Sequence, residues 1–214
     1  MKRTIHAAIA AFALASGALL AGTSARAAEP GFDKSAFEAM MAKFAVNDPA
    51  ADASWLRHQN LVRLNYVLPD WESAHTAFDA MKTSPDKALS LAEAHLKNDP
   101  LSLDALFVAE NALNRLSRPA DAKVRHEQIV ALLRSATHGT DGLGKDRAWD
   151  AVSVHEEYSI LGILGFEPRS QALSQDGGHS YDVMEVTPPD GGKPVRVWFN
   201  IDAFFGKELG YLAK

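Results

Sequence analysis

No cysteine occurs anywhere in the 214 residues. That absence removes disulfide frameworks, thiol nucleophiles, thiolate zinc sites and cysteine-ligated iron–sulfur clusters, and leaves any chemistry to oxygen and nitrogen groups. Long apolar runs are scarce as well. The longest, Ala7 to Leu20, has 14 residues, short of the roughly 20 that a membrane-spanning helix needs, so no stable membrane anchor is expected. Positive charge is in deficit, with 22 basic side chains against 27 acidic ones. There is no basic stripe of the kind that displaces counterions from nucleic acid or grips anionic lipid, and nucleic acid is not an expected partner. Catalytic signatures are missing too. No Gly-x-Ser-x-Gly elbow presents a serine nucleophile. His155 is followed four residues later by Ser159, where a zinc-protease helix requires a second histidine.

What is present begins with a leader. Lys2 and Arg3 open the chain, the apolar run follows, and Ala25-Arg26-Ala27 supplies the small-x-small pattern that signal peptidase reads. Residues 1–27 are expected to be a signal peptide cleaved near Ala27, which releases a protein into the periplasm or the medium. Lys-Arg in place of Arg-Arg favours export of an unfolded chain over the twin-arginine route. Cleavage leaves 187 residues with 19 basic and 27 acidic side chains, a net charge of −8. That length buries a sizeable core unaided.

Hydrophobic spacing divides the remainder. Residues 28–51 read as a loose segment with one short helix carrying Phe37, Met40, Met41 and Phe44 at steps of 3 to 4. Residues 52–137 read as helices throughout, with apolar faces such as Leu56, Leu61, Leu64 and Val67, separated by breakers at Pro69-Asp70, Pro85-Asp86, Asp99-Pro100 and Arg118-Pro119. Pro85 and Pro119 suit first helical turns, where a missing N–H costs nothing. They lie 34 residues apart, the period of tetratricopeptide hairpins, with Ala88 and Ala122 as the small residues at the crossing. After residue 166 the period changes. Val195, Val197, Phe199 and Ile201 alternate with polar neighbours, Tyr181 to Thr187 forms a second strand and Ser170 to Ser174 a third, joined by the Gly177-Gly178 and Pro188 to Gly192 turns. The expected fold class is α+β. N-terminal helical hairpins pack with a three-stranded antiparallel sheet and a closing helix over Phe204 to Leu212, and residues 138–214 form one domain with 52–137.

The densest polar stretch runs from His138 to Tyr158. Gly139 followed by Gly144-Lys145 imitates a phosphate loop, yet Asp146 stands where a Ser or Thr should hold magnesium, and the preceding segment is helical. A helix end at Gly139 and a new helix start near Asp146 account for the glycines. Asp141 and Asp146 lack the ligand alternation of an EF-hand. The candidate functional surface is Asp141, Asp146, His155, Glu156, Glu157, Tyr158, Tyr181 and Asp182. No metal or other cofactor is assigned to it, and no residue is assigned as catalytic.

The order of these pieces carries a resemblance: Leu96-Lys97-Asn98-Asp99-Pro100-Leu101, then Gly139-Thr140-Asp141-Gly142, Ala151-Val152, Glu156-Glu157-Tyr158, Tyr181-Asp182 and Trp198-Phe199-Asn200-Ile201. Over roughly Asn60 to Leu209 the chain resembles the exported bacterial family catalogued as domain of unknown function 4919. The resemblance implies a fold and an envelope location and brings no activity. The leading expectation is a binding or accessory module of the envelope, with an envelope protein or peptide as partner, whose recognition surface borders residues 138–158. The alternative is a hydrolase or metal-binding enzyme using Asp141, Asp146, His155 and Glu156. A third reading gives Glu156, Tyr158 and Asp182 a purely structural role, bonding helix to sheet.

Overall fold

The computed structural model describes residues 31–69 and 71–207. Over these residues the chain is α+β, with helices concentrated before residue 138 and a mixed sheet after it. Helix α1, Lys34–Ala45, starts where the Asp33 side chain accepts a hydrogen bond from the Ala36 amide, and it buries Phe37 and Phe44. Asp52 caps α2, Ala53–Arg63, in the same way through the Trp55 amide. The helix then stops earlier than hydrophobic spacing indicates. Asn65 and Tyr66 both take left-handed backbone angles, φ 52° and 62°, so Val67 leaves the apolar face and is 53% exposed.

Four helices follow, α3 (Ala74–Thr83), α4 (Pro85–Leu96), α5 (Leu103–Arg115) and α6 (Pro119–Thr137), each packed on the next. Pro85 and Pro119 stand in the first turns of α4 and α6. Their packing surface is built from alanine: Ala77, Ala88, Ala92, Ala109, Ala112 and Ala122 are all buried, and small side chains let helix backbones approach closely. The 34-residue spacing is confined to this proline pair, because one period beyond the start of α5 the chain has reached Thr137, the last residue of α6.

The sheet has four strands, one more than the alternation pattern showed. They are β1 (Trp149–Asp150), β2 (Glu167–Asp176), β3 (His179–Thr187) and β4 (Val195–Asn200), in the spatial order β1-β4-β3-β2. Strands β2, β3 and β4 form the antiparallel meander, and β1 adds in parallel with Trp149 opposite Phe199. A two-residue strand shows no periodicity, which is why spacing missed it. Gly177 and Gly178 close the first hairpin with φ of 60° and 85°, the double positive-φ turn that matches strand twist. Residues 202–207 wind as turns rather than opening a helix, and the remainder of the expected closing helix lies outside the described residues.

Helix α7, Val154–Ile163, crosses between sheet and helices. It begins at Val154, not near Asp146, because the Ser153 hydroxyl accepts from the Glu156 amide and fixes the first turn there, while Lys145–Arg147 makes only a 3₁₀ turn. One core joins the two halves: Leu56, Leu61, Leu106 and Leu132 from the helices meet Ile160, Met184, Val197 and Phe199 from α7 and the sheet. Among the described residues no helix is long and apolar enough to cross a membrane.

Candidate functional site

The eight residues singled out by the sequence do not share one surface. Consecutive positions on α7 and on β3 point to different sides, and the loop residues lie apart, which splits the eight among four environments.

On the helix-facing side, Glu156 receives two hydrogen bonds from the Arg57 guanidinium, at 2.8 and 2.6 Å, and one from the Val152 amide at 2.9 Å. Arg57 also donates to the Asp150 carbonyl at 2.8 Å, and its side chain is 1% exposed. Burial works against the guanidinium's charge, but the field and hydrogen bonds of Glu156 outweigh it and raise its pKa. This ion pair sits at the base of a cleft of about 280 Å³ bounded by α2, by Leu68, Pro69 and Trp71, by the α4–α5 junction and by α7. Asn60, Asp99, Ser102 and Ser159 are buried polar residues lining the same cleft. Asn60 donates to Asp99 at 2.8 Å. Burial holds the Asp99 carboxyl above its usual range, opposed by Asn60, the Leu101 amide, His95 and Arg63. Trp71 stacks on His95 with ring centroids 5.0 Å apart, and its indole N–H has no partner among the described residues. His155 stands at the rim, 3.1 Å from Asp104 and largely exposed.

On the sheet-facing side, Glu157 is wholly buried and, among the described residues, neither carboxyl oxygen has a hydrogen-bond partner. Burial, then the Asp182 carboxyl, then Glu156 push its pKa up to about 10, so it carries a proton at neutral pH. Asp182 is also raised, by burial, although Gln171 and Glu157 stabilise its charge. The proton therefore belongs to Glu157 and the charge to Asp182, which face one another without the geometry of a formed bond. Gln171 donates to Asp182 at 2.6 Å and accepts from the Tyr158 hydroxyl at 3.2 Å, so the pair connects to a half-exposed tyrosine. Burial, with the fields of Glu157 and Asp182, raises Tyr158 in turn. Tyr181 is on the opposite sheet face, packed edge-on against Trp198 at 5.7 Å.

Asp141 and Asp146 belong to neither group. Both are exposed in the 139–147 loop, and Asp141 pairs with Arg147 at 2.5 Å. The loop's own structure rests on Gly142, whose carbonyl accepts from the Trp198 amide at 2.8 Å. Its φ is +69°, and a Cβ added there would stand 2.8 Å from Cε2 of the Trp149 ring. Gly142→Ala is expected to lower stability by at least about 1 kcal/mol through strain and displacement of a buried indole. A urea unfolding midpoint unchanged from the parent would refute that account of the loop. Among the described residues, no group of three or more histidine, aspartate or glutamate side chains is placed to hold a metal ion.

Sequence reasoning found Glu156 and His155 but missed the cleft's other polar residues, Arg57, Asn60, Asp99 and Trp71. One signal was legible. Arg57 and Asn60 fall on the same stripe of α2 as Ala53, Leu56 and Leu61, and polar groups on an apolar stripe are buried only when something pairs with them. Their partners lie 99 and 39 residues away, separations that no local pattern reports.

Comparison with curated proteins and with solved structures finds no match. The model of the family described as Domain of unknown function (DUF4919) matches residues 64–208. That span holds α3 to α7 and the whole sheet, including Glu156, Glu157 and Asp182, and leaves Arg57 and Asn60 of α2 just before it. The chain belongs to the DUF4919 family.

Proposed function

We propose that this protein is an exported binding module of the cell envelope, and that the cleft between α2, the α4–α5 junction and α7 receives a side chain or short segment of a peptide or protein partner. The observation that carries the reading is the composition of that cleft: apolar walls of Leu68, Pro69, Leu101, Leu103 and Val152 around the fixed polar pairs Arg57–Glu156 and Asn60–Asp99. A concave apolar surface with a few convergent polar groups is the usual form of a recognition site. The polar groups are positioned for binding rather than turnover. Ser159 donates its hydroxyl proton to the His155 carbonyl, Ser102 caps α5 through the Ala105 amide, and Glu156 is saturated by Arg57 and Val152. No hydroxyl in the cleft is paired with a base, the arrangement a covalent hydrolase needs.

The envelope location rests on the leader's charge, apolar run and Ala25-Arg26-Ala27 site. Tetratricopeptide-like packing of α4, α5 and α6 rests on the Pro85 and Pro119 helix starts and on buried Ala88 and Ala122, and such hairpins typically present a concave face to peptides. The protein recovered from the periplasmic fraction is expected to begin at Ala28 on N-terminal sequencing. Incubated with peptides from a digested envelope extract, it should retain a defined set identifiable by mass spectrometry. His155→Trp, which fills the rim from an exposed position, should release that set, whereas Val46→Trp, at the exposed end of α1 and outside the cleft lining, should not. Retention of the same peptides by both variants, or steady turnover of them, would overturn the reading.

A further inference from the structure

The sheet ends on β2, a ten-residue strand bonded on one side to β3 and, among the described residues, to nothing on the other. Nearly every residue of β2 is exposed. Long open edges carry a row of unpaired N–H and C=O groups, and monomeric proteins normally blunt them with charge, proline or a bulge along their length. Here the protection is confined to the two ends, with Pro168, Arg169 and the irregular register at Pro168/Ser170 at one and Asp176, paired with Lys145, at the other. From Ser170 to Gln175 there is no charge and no proline.

A second feature runs beside that edge. Val154 and Tyr158 lie one turn apart on α7 and are 41% and 42% exposed, and Leu173 of β2 is 47% exposed. Leu173 sits on the same strand face as Gln171, the residue that the Tyr158 hydroxyl touches. The three make an apolar stripe next to the open strand, on the helix-covered side of the sheet.

We propose that β2 is the interface of a homodimer, pairing antiparallel with β2 of a second copy about a two-fold axis that passes perpendicular to the sheet at Leu173. That operation satisfies both features with one patch, as an isologous contact must. The two four-stranded sheets join into one, both α7 helices come to lie on the same face, and each Val154–Tyr158–Leu173 stripe packs against its copy. In this register Ser170 falls opposite the partner's Asp176, which its own Lys145 already pairs, and Arg169 falls one residue away from it, so each carboxylate stands between two cations at an end of the joint. A lone peptide strand would pair with the edge but leave the α7 part of the stripe in water, which favours a second copy.

The absence of cysteine supplies the test. With Leu173→Cys as the sole thiol in the chain, a two-fold axis at that residue places the two sulfurs within disulfide reach. Mild oxidation should convert most of the protein to a covalent dimer, while Val67→Cys, exposed on α2's trailing loop, should stay largely monomeric. The unmodified protein should sediment at twice the chain mass at tens of micromolar. Leu173→Lys, which brings two ammonium groups together, should return it to the chain mass with an unchanged circular dichroism spectrum. A monomeric parent, equal cross-linking at both cysteine positions, or a Leu173→Lys protein that folds and remains dimeric would each overturn the proposal.

Discussion

Arg57→Ala is expected to lose about 3–5 kcal/mol of stability, the usual cost of removing one member of a buried ion pair and stranding the other. The loss is a large share of the roughly 5–15 kcal/mol that holds a domain folded. The reason is geometric. Among the described residues Arg57 is the one side chain that bonds both Glu156 oxygens, and it also holds the Asp150 carbonyl, so α2, β1 and the start of α7 meet on a single guanidinium. Arg57→Lys should restore little, because an ammonium cannot reproduce two parallel bonds to a carboxylate and a third to a carbonyl. Arg57→Met combined with Glu156→Leu should recover much of the loss, since no charge is then left without its counterpart. It should not recover all of it, because the Val152 amide bonds to Glu156 in the parent. Urea unfolding of the three variants checks the order. An Arg57→Ala midpoint within about 1 kcal/mol of the parent would show that the pair is solvated in solution.

The next residue of α7 gives the opposite sign. Glu157 has a folded pKa of about 10 against an ordinary value of 4.5. Between those values the folded state binds a proton that the unfolded state has released. Its contribution is therefore fully present below about pH 4.5 and is lost progressively as pH rises toward 10. At pH 7 the cost is about 3 kcal/mol. Asp182, raised in the same direction, adds to the slope. Glu157→Gln keeps the shape and removes the titration. One amide N–H is directed at Asp182 and the other is left unpaired at a cost of about 1–2 kcal/mol. The variant is expected to exceed the parent by about 1–2 kcal/mol at pH 7 and by more at pH 9, and to fall below it at pH 4. Unfolding curves at those three pH values decide the matter. A parent and variant that keep a constant separation across them would show that Glu157 is ionised in the folded protein.

These two adjacent glutamates also show what the sequence could and could not express. The α+β class, the helix starts at Pro85 and Pro119 and the alternating strands β3 and β4 were legible, because each follows from spacing over neighbouring residues. The Glu-Glu-Tyr segment was legible as a place of interest. Its chemistry was not, since the charge of Glu156 and the proton of Glu157 depend on residues 99 positions upstream and 25 downstream. Asp141 and Asp146 looked equivalent to them in polarity but lie on an exposed loop, where a pair such as Asp141–Arg147 is solvated and energetically minor. The position of α7 was misjudged for a similar reason. The segment from Asp146 to Val152 has helix-compatible composition, but Trp149 is drawn into the core against Phe166 and Phe199, and that burial makes Asp150 an edge strand.

The order of strands bears finally on when the chain can fold. Strand β4, the last of the described strands in chain order, lies between β1 and β3, so β1 has no strand to join, and β3 only one of its two neighbours, until residues 195–200 are available. Val197 and Phe199 complete the buried face on which Ile160 and Met184 pack. A nascent chain that lacks residues 195–200 should thus retain its helices only loosely, without a closed core, and commit to the folded state late and nearly all at once.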